Sequence, residues 1–479
     1  MSASTTQRVV AADSIEQLRN RLRGSVLTPS EGGYDTARRA WNGMLDKRPA
    51  LIAQPADAAD VATAIAFGRR EGLELGVKCG GHSAIGQSIP EGGLMIDLSR
   101  MNDVRIDPEA RLAHIGGGAL LGDMDRASAV HGLATTAGNV SHTGVGGLTL
   151  GGGMGWLARQ FGMACDNVVE YVVVTASGDV LAASADENPD LFWGLRGGGG
   201  NFGVVTKFTF RLHPISGQAL VVDFSYPAER AVELLRFFRG FAAEAPLEAT
   251  PTAWIGTVGE GDSVPADLWG KDLVNIGFVW VGDPDGARAL LEALRPLAEP
   301  VAETVDETTY VELQGSSDVA MGHQMRRYMK GNYLRELTHD AIAAFIARGG
   351  EARQGEFRPS GALLGYGGAI GRIGIGETAF SHRDARFEFS TSAGWTEPGE
   401  DEARMAGPRR YGAEMEPFSS GVYVNVLSDE GAAGVRHAYP PDTLARLRAL
   451  KDRYDPENVF HLNHNIAPSS GSAPRADPT

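Results

Sequence analysis

Between Asp13 and Arg23 the apolar residues Ile15, Leu18 and Leu22 fall three and four positions apart. That spacing predicts a short amphipathic helix. The unbroken run Pro49 to Gln54 (PALIAQ) reads as a buried strand. Pro55 and Asp57 then open a helix that continues to about Arg70, with Val61 and Ile65 inward and Gly72 just past its end. Leu75 to Cys79 is a second short strand. From Gly92 to Gly138 short strands alternate with turns, apart from a helix near Leu121 to His131. Gly144 to Gly155 reads as a glycine-dense loop. Val168 to Thr175 and Val180 to Ala183 flank a Ser177-Gly178 turn and predict a hairpin. Asp190 to Leu195 suits a helical turn, and Gly203 to Leu212 alternates as a strand does.

After Pro214 glycine thins out and the texture becomes α+β. Strands are expected at Leu220 to Phe224, Val274 to Val281 and Phe387 to Ser392. Helices are expected at Ala228 to Ala243, Gly286 to Ala298, His339 to Ala347 and Asp442 to Asp452. A domain boundary belongs near Pro214 to Gly217. The Ser-, Pro- and Ala-rich end, Ser469 to Thr479, is expected to be disordered.

Composition narrows the choice. At 479 residues, 43% hydrophobic and 22% charged, the chain has a globular composition and room for two or three domains. The net charge of -16 argues against a nucleic-acid partner. No run reaches the roughly 18 apolar residues of a membrane span, so no membrane partner is expected. The first 28 residues lack the apolar core of a secretory signal, which makes the cytoplasm the expected location. Two cysteines, Cys79 and Cys165, are too few for a disulfide framework and read as buried small hydrophobes.

The 63 glycines carry the most information, because they crowd between Gly80 and Gly203. Gly198, Gly200 and Gly203 match G-x-G-x-x-G, but that fingerprint needs a strand before it and a helix after it. Here the order is reversed. Gly80-Gly81-His82-Ser83 follows a strand and could wrap a diphosphate with backbone N–H groups. The run TGVGGLTLGGGMGWL could lie flat against a large planar ligand. Three such clusters in one segment favour a bound cofactor over a set of tight turns. His82 alone is more simply a turn or hydrogen-bonding residue. A metal site there is not expected, since no second His or Cys follows at ligand spacing.

The segments KCGGHSAIGQS, GNVSHTGVGGLTLGGGMGWLARQFGMACDNV, DLFWGLRGGGGNFGVVTKFTFRLHP, SGVYVNVLSDE and YDPENVFHLNHNIAP, in that order, resemble the berberine-bridge-enzyme-like oxidases. These belong to the vanillyl-alcohol oxidase/p-cresol methylhydroxylase superfamily. The resemblance implies an α+β fold: a two-lobed FAD-binding domain (1–217, core 48–214), then a substrate-binding domain with an antiparallel sheet (218–430). A C-terminal segment (431–468) would return to the FAD domain. It implies FAD held by a single covalent link to His82. Lys78, Gly80, Gly81, Ser83 and Gly86 would surround the diphosphate. Gly138, Val140, Gly144, Gly146, Gly147, Gly152 and Gly153 would line the isoalloxazine and ribityl. Gly200, Gly203 and Val205 would meet the adenine side, and Asn463 and Asn465 would close the site. Val140 stands where many relatives carry a second, cysteine tether, Leu148 where many have a histidine, and Phe161 where plant members often have a tyrosine. Val145 occupies a position associated with oxygen access.

By the same resemblance, a hydride passes from substrate carbon to flavin, and O2 reoxidises the flavin to hydrogen peroxide. The small-molecule substrate is then an alcohol of a sugar, glycoside or natural product. An amine or alkaloid is the alternative, as is a dehydrogenase using another acceptor. Tyr423 matches a family tyrosine facing the flavin, and strand alternation would put Asn425 on the same side. A free phenol titrates near pH 10, so Tyr423 as a base needs either the flavin's own polarity or a nearby cation, for which Lys330 and Arg326 are candidates. Thr391 aligns where some relatives place an acid or amide, and Glu388 is the nearest carboxylate. Trp254, Trp280 and Trp395 are candidate pocket walls.

Overall fold

The computed structural model describes residues 10–260, 264–297, 299–351 and 357–469. Ala298 and 470–479, which complete the helix expected at Gly286 to Ala298 and the expected tail, lie outside them. Among the described residues no helix is long and apolar enough to cross a membrane.

The first sheet has four strands, in the order Ser25–Leu27, Leu51–Gln54, Leu94–Asp97, Leu75–Lys78. Helix Ala58–Glu71 connects two of them. Asp57 caps its start by accepting the Asp60 N–H at 3.0 Å, and Gly72 ends it at φ 65°. The strands on either side of this helix are not neighbours, because Leu94–Asp97 inserts between them and runs parallel to both. Val61, Ala64 and Ile65 pack the helix onto Leu94 and Ile96.

A five-stranded antiparallel sheet follows, in the order Val104–Asp107, Leu112–Gly116, Val204–Arg211, Val168–Val174, Val180–Ser184. Its core is shared with the far end of the chain. Leu444, Leu447, Leu450 and Ile466 join Phe208, Phe210 and Tyr171 in one buried cluster. Lys451 fastens that end. Fully buried, its Nζ donates to Asp455 Oδ2 (2.6 Å), Asn201 O (2.9 Å) and Phe460 O (3.0 Å).

The largest sheet has seven antiparallel strands: Ala302–Thr309, Gln218–Pro227, Asp272–Val281, Ala249–Thr257, Ser360–Gly365, Phe387–Trp395 and Arg326–Leu334. Four of these strands were not foreseen from the pattern. Helices Ala231–Glu244, Pro284–Leu294, His339–Ala347 and Asp401–Met415 pack on it. Leu234, Phe238, Phe345 and Tyr411 meet Phe387 and Phe389 in their core. Alternation therefore turns Glu388, between those phenylalanines, to the opposite face.

Two stretches fold otherwise than their pattern suggests. The glycine-dense run contains a helix, Val145–Leu150, whose Val145 and Thr149 are buried one turn apart. Glycine costs about 1 kcal/mol in a helix, but a Cβ on Gly146 would crowd Gly117 O, just past strand Leu112–Gly116, at 3.2 Å, so glycine eases the close approach there. Tyr423 and Asn425 do not alternate along a strand. Val424–Val426 is a single turn of 3-10 helix.

Candidate active site

A cavity of about 500 Å³ opens where the free face of the seven-stranded sheet meets the glycine-rich half of the chain. The turn after Leu75–Lys78 supplies Gly80, Gly81, His82 and Ser83. The segment before and inside helix Val145–Leu150 supplies Gly138, Val140, Gly144, Gly146 and Gly147. Gly200, Gly203, Val205 and Asn463 complete this part of the wall, and Glu388, Tyr423 and Asn425 line the rest. The fold thus brings together most of the residues singled out in the sequence.

The glycines do two different jobs. A Cβ on Gly80 would stand 2.3 Å from Gly144 N, and one on Gly144 would stand 2.3 Å from Gly80 N. These two backbones touch, and only glycine permits it. At Gly147 and Gly200 an added Cβ would meet nothing within 4 Å, so those positions keep space open. Three polar atoms in the wall await partners. Ser88 Oγ, Asn139 Oδ1 and Asn463 Oδ1 are buried without a hydrogen bond. Buried polar groups are nearly always satisfied in a working protein, so the cavity suits a large ligand rich in donors and acceptors. FAD fits that description. Ser88, Asn139 and Asn463 would hold it by hydrogen bonds, and Gly147 and Gly200 would admit its bulk.

His82 sits in a nest of aromatic rings. Trp41 stacks on it at 4.9 Å, with the planes 15° apart. His82 Nε2 lies 2.8 Å from His142 Nδ1, and His82 Nδ1 lies 3.3 Å from Thr143 Oγ1. Burial first, then the neighbouring imidazoles of His142 and His323 and the cation Arg327, lowers its pKa to about 3. His82 is therefore neutral at physiological pH, and a neutral imidazole carries one unprotonated nitrogen that can act as a nucleophile. The ligating atoms of His82, His142 and His323 all lie within 4.8 Å of one another. These three histidines come from segments far apart in the chain, so the absence of ligand spacing beside His82 does not exclude a metal there.

Tyr423 lies in a donor cup. Its oxygen accepts from Gly153 N–H (2.9 Å), Met154 N–H (3.3 Å) and Asn425 Nδ2 (2.8 Å). Those donors favour a phenolate, but burial and the nearby Glu388 carboxyl prevail, and the phenol is held well above its ordinary pKa. It acts as a neutral group at physiological pH. The expected cations are elsewhere: Lys330 pairs with Asp429 (2.5 Å) and with Glu430, and Arg326 with Asp401. Asn425 is a brace, donating also to Leu148 O at 3.1 Å.

Glu388 is the one carboxylate in the cavity wall among the described residues. Its Oε2 accepts from Tyr366 Oη at 2.6 Å, and Tyr333 Oη lies 3.5 Å from Tyr366 Oη. Burial raises its pKa to about 7, against the smaller opposing effect of the Tyr366 hydrogen bond. A carboxyl poised there can take or give a proton at neutral pH.

Several expected residues do not line the cavity. Lys78 lies 3.7 Å from Asp97 Oδ1. Gly86 is a turn residue at φ 62°, where a Cβ would meet Leu45. Val145 is fully buried in the core, whereas Thr143 reaches the cavity. Gly152 and Gly153 back against Phe380, Ala164 and Leu148 and serve Tyr423 rather than a ligand. Asn465 stands outside the wall. Thr391 shares the parity of Phe387 and Phe389 and donates to Ser360 O at 2.7 Å, facing the helices. None of the three tryptophans is in the wall. Trp280 packs into the sheet–helix core, Trp395 donates to Asp401, and Trp254 lies against Gly256. The pattern missed His142, Thr143, Tyr366 and Met329; His142 and Thr143 stand in the very segment that carries the resemblance.

Residues 49–184 match the family described as FAD binding domain, and residues 422–467 match the family described as berberine and berberine like. The chain is 31% identical over 463 residues to the (R)-6-hydroxynicotine oxidase of Paenarthrobacter nicotinovorans, covering 93% of this chain and 97% of that protein. The solved structure of 6-hydroxy-D-nicotine oxidase from Arthrobacter nicotinovorans superposes with a TM-score of 0.81 at 28% identity, over 97% of this chain and 99% of that one. Berberine bridge enzyme from Eschscholzia californica shares the fold, with a TM-score of 0.83 at 23% identity over 96% and 99% of the two chains.

Proposed function

The chain belongs to the berberine-bridge-enzyme-like FAD-linked oxidoreductases, and from that premise we propose that it oxidises a small, mainly apolar amine or alcohol, with Glu388 taking the N–H or O–H proton and O2 taking the electrons. Bound FAD supplies the hydride acceptor. The observation that carries the reading is Glu388, a lone buried carboxyl with its pKa near 7 in an otherwise uncharged wall. An ammonium substrate would surrender its proton there before losing hydride, and an alcohol would surrender its proton during the transfer. Tyr423 keeps its hydroxyl hydrogen and orients the substrate.

The amine reading ranks above the sugar reading. Near Glu388 the wall is Met154, Met329, Leu364 and Val426, which suits an apolar ring better than a polyol. The three tryptophans expected as stacking faces for a sugar, Trp254, Trp280 and Trp395, lie outside the wall. The 31%-identical relative is itself named for a hydroxynicotine.

We assign the flavin a single covalent link, to His82. Val140 lines the cavity where a thiol would be needed for a second. Cys79, also in the wall, has its thiol raised to about 11 by burial, which leaves little thiolate. The reading places the enzyme in the cytoplasm and its product as hydrogen peroxide.

The test is peroxide release from air-equilibrated enzyme offered cyclic secondary amines, benzylic alcohols and oligosaccharides. Amines are expected to turn over fastest. Turnover of oligosaccharides alone overturns the substrate assignment, and turnover with an artificial acceptor but not with O2 overturns the oxidase assignment. After acid precipitation the yellow colour should stay in the pellet and move to the supernatant in His82→Ala. Colour that stays with the His82→Ala pellet refutes the link.

A further inference from the structure

Behind Tyr366 lies a second cavity, of about 1060 Å³. It forms where helix Ala231–Glu244 ends, where strands Arg326–Leu334 and Ser360–Gly365 end, and where Phe387–Trp395 begins. Five arginines line it: Arg159, Arg239, Arg335, Arg383 and Arg386. Only two carboxylates, Glu336 and Asp384, share the wall. Arg335 is answered by Asp384 at 2.5 Å, and Arg383 by the buried Asp166 at 2.7 Å. Arg159, Arg239 and Arg386 make no ion pair among the described residues. With Glu336 as the one carboxylate left over, the cavity keeps an excess of about two positive charges, on a protein whose net charge is -16.

Arg159 is the decisive residue. It is only 4% exposed. Nη1 donates to Tyr366 O at 2.5 Å and Nη2 to Ala245 O at 2.8 Å, while Nε is buried without a partner. Burial is the sole influence on its pKa, which it lowers, and no carboxylate offsets the charge. A guanidinium taken out of water without a counter-charge is a strongly unfavourable arrangement. Two backbone carbonyls meet part of that need, and a bound anion would supply the missing counter-charge. Helix His339–Ala347 starts at the same cavity, with Thr338 as its cap, and its N-terminal end favours negative charge.

We propose that this cavity is a binding site for a multiply charged oxyanion of a small metabolite, a phosphate monoester or a polycarboxylate, seated against Arg159 and closed over by Arg239 and Arg386. Planar guanidinium groups suit either oxyanion, since they offer paired N–H donors. The site is separate from the flavin and substrate cavity. Tyr366 is the wall between them, its carbonyl on Arg159 and its hydroxyl on Glu388.

The experiment uses the flavin-loaded protein, so that the cofactor's own diphosphate site is filled. Melting temperature and calorimetric titration are followed with glycerol phosphate, citrate and inorganic phosphate, each against sodium chloride at equal ionic strength. A saturable rise in melting temperature is expected with glycerol phosphate or citrate, and which of them binds tighter identifies the source of the oxyanion. Arg239→Ala and Arg386→Ala alter exposed side chains and should fold normally, each weakening binding by about fivefold, as expected for one exposed charge pair. Arg159→Met should abolish binding, with retained flavin absorbance reporting that the variant has folded. A response no larger than that of chloride overturns the proposal, as does wild-type affinity in the Arg239→Ala/Arg386→Ala double variant.

Discussion

Replacing Glu388 by Gln tests the proposed proton acceptor through two independent readouts. Gln keeps the volume and still accepts the Tyr366 hydroxyl, but it cannot ionise. In the folded chain the Glu388 carboxyl is raised from its ordinary 4.5 to about 7. Below pH 4.5 it is protonated whether the chain is folded or not, and it takes nothing from stability. As pH rises from 4.5 to 7 the unfolded chain releases this proton while the folded chain retains it, so wild type loses stability across that window. At 1.36 kcal/mol for each tenfold change, the loss above pH 7 is about 3 kcal/mol. The variant escapes it. Urea unfolding of both proteins should coincide at pH 4.5 and diverge to about 3 kcal/mol in favour of Glu388→Gln by pH 8. Asp125 and Asp223, raised by burial to about 7 and about 6, titrate in the same window, but they are common to both proteins and cancel in the difference. The second readout is kcat/KM against pH. Wild type should show an ascending limb near pH 7, and the variant should lose that limb along with about 10²- to 10⁴-fold in rate. A variant that turns over normally with the same limb, and is no more stable than wild type at pH 8, would show that Glu388 neither titrates in the folded chain nor moves the proton.

Tyr423→Phe strips the acceptor from the Gly153 and Met154 N–H groups and from Asn425; about 1 to 3 kcal/mol of stability should go with it, read by denaturant unfolding, together with a fall in kcat. Gly147→Leu should melt at or slightly above the wild-type temperature, because nothing stands within 4 Å of an added Cβ and glycine is a poor helix residue. Its flavin content, read as the ratio of absorbance at 450 nm to that at 280 nm, should nonetheless drop; full flavin loading would show that the space at Gly147 serves something else. Asp455→Ala leaves the fully buried Lys451 ammonium without its carboxylate and should cost about 3 to 5 kcal/mol, with the C-terminal end becoming more sensitive to protease.

What the sequence reveals about this molecule follows from how far each signal reaches. Helix Ala58–Glu71 announces itself locally through Asp57, the inward Val61 and Ile65, and Gly72. The glycines at 80, 144, 147 and 200 are visible because they cluster, and clustering survives without knowledge of the fold. Strand Phe387–Trp395 is also legible, but the direction of its residues is not. Thr391 and Glu388 differ in parity, and only the placement of the helices on one face decides which of them meets the cavity. The histidine group is harder still. His82 and His142 lie 60 residues apart and meet because Gly80 and Gly144 allow two backbones to touch. A pairing made by the absence of side chains leaves no periodic trace. The same holds for Tyr423: its donor cup is built from backbone N–H groups about 270 residues earlier in the chain.

That cup explains why one short C-terminal stretch matters to both halves of the molecule. Gly421 bridges to Tyr333 at the edge of the seven-stranded sheet. Two residues later Tyr423 is gripped by Gly153 and Met154, which follow the glycine-rich helix, and Asn425 ties Tyr423 back to Leu148. Beyond it, Lys451 pins the last helix onto Asn201. The sheet that presents Glu388 and the segment that shapes the flavin cavity are thus tied by hydrogen bonds converging on one phenol oxygen, alongside the buried Arg383–Asp166 pair and the Asn42–Arg327 contacts. Tilting the sheet against the glycine-rich half would break them, leaving buried N–H groups unpaired. Apolar packing across the same seam adds to that penalty, because Met154, Met163 and Cys165 share a buried cluster with Tyr333, Tyr366 and Phe380.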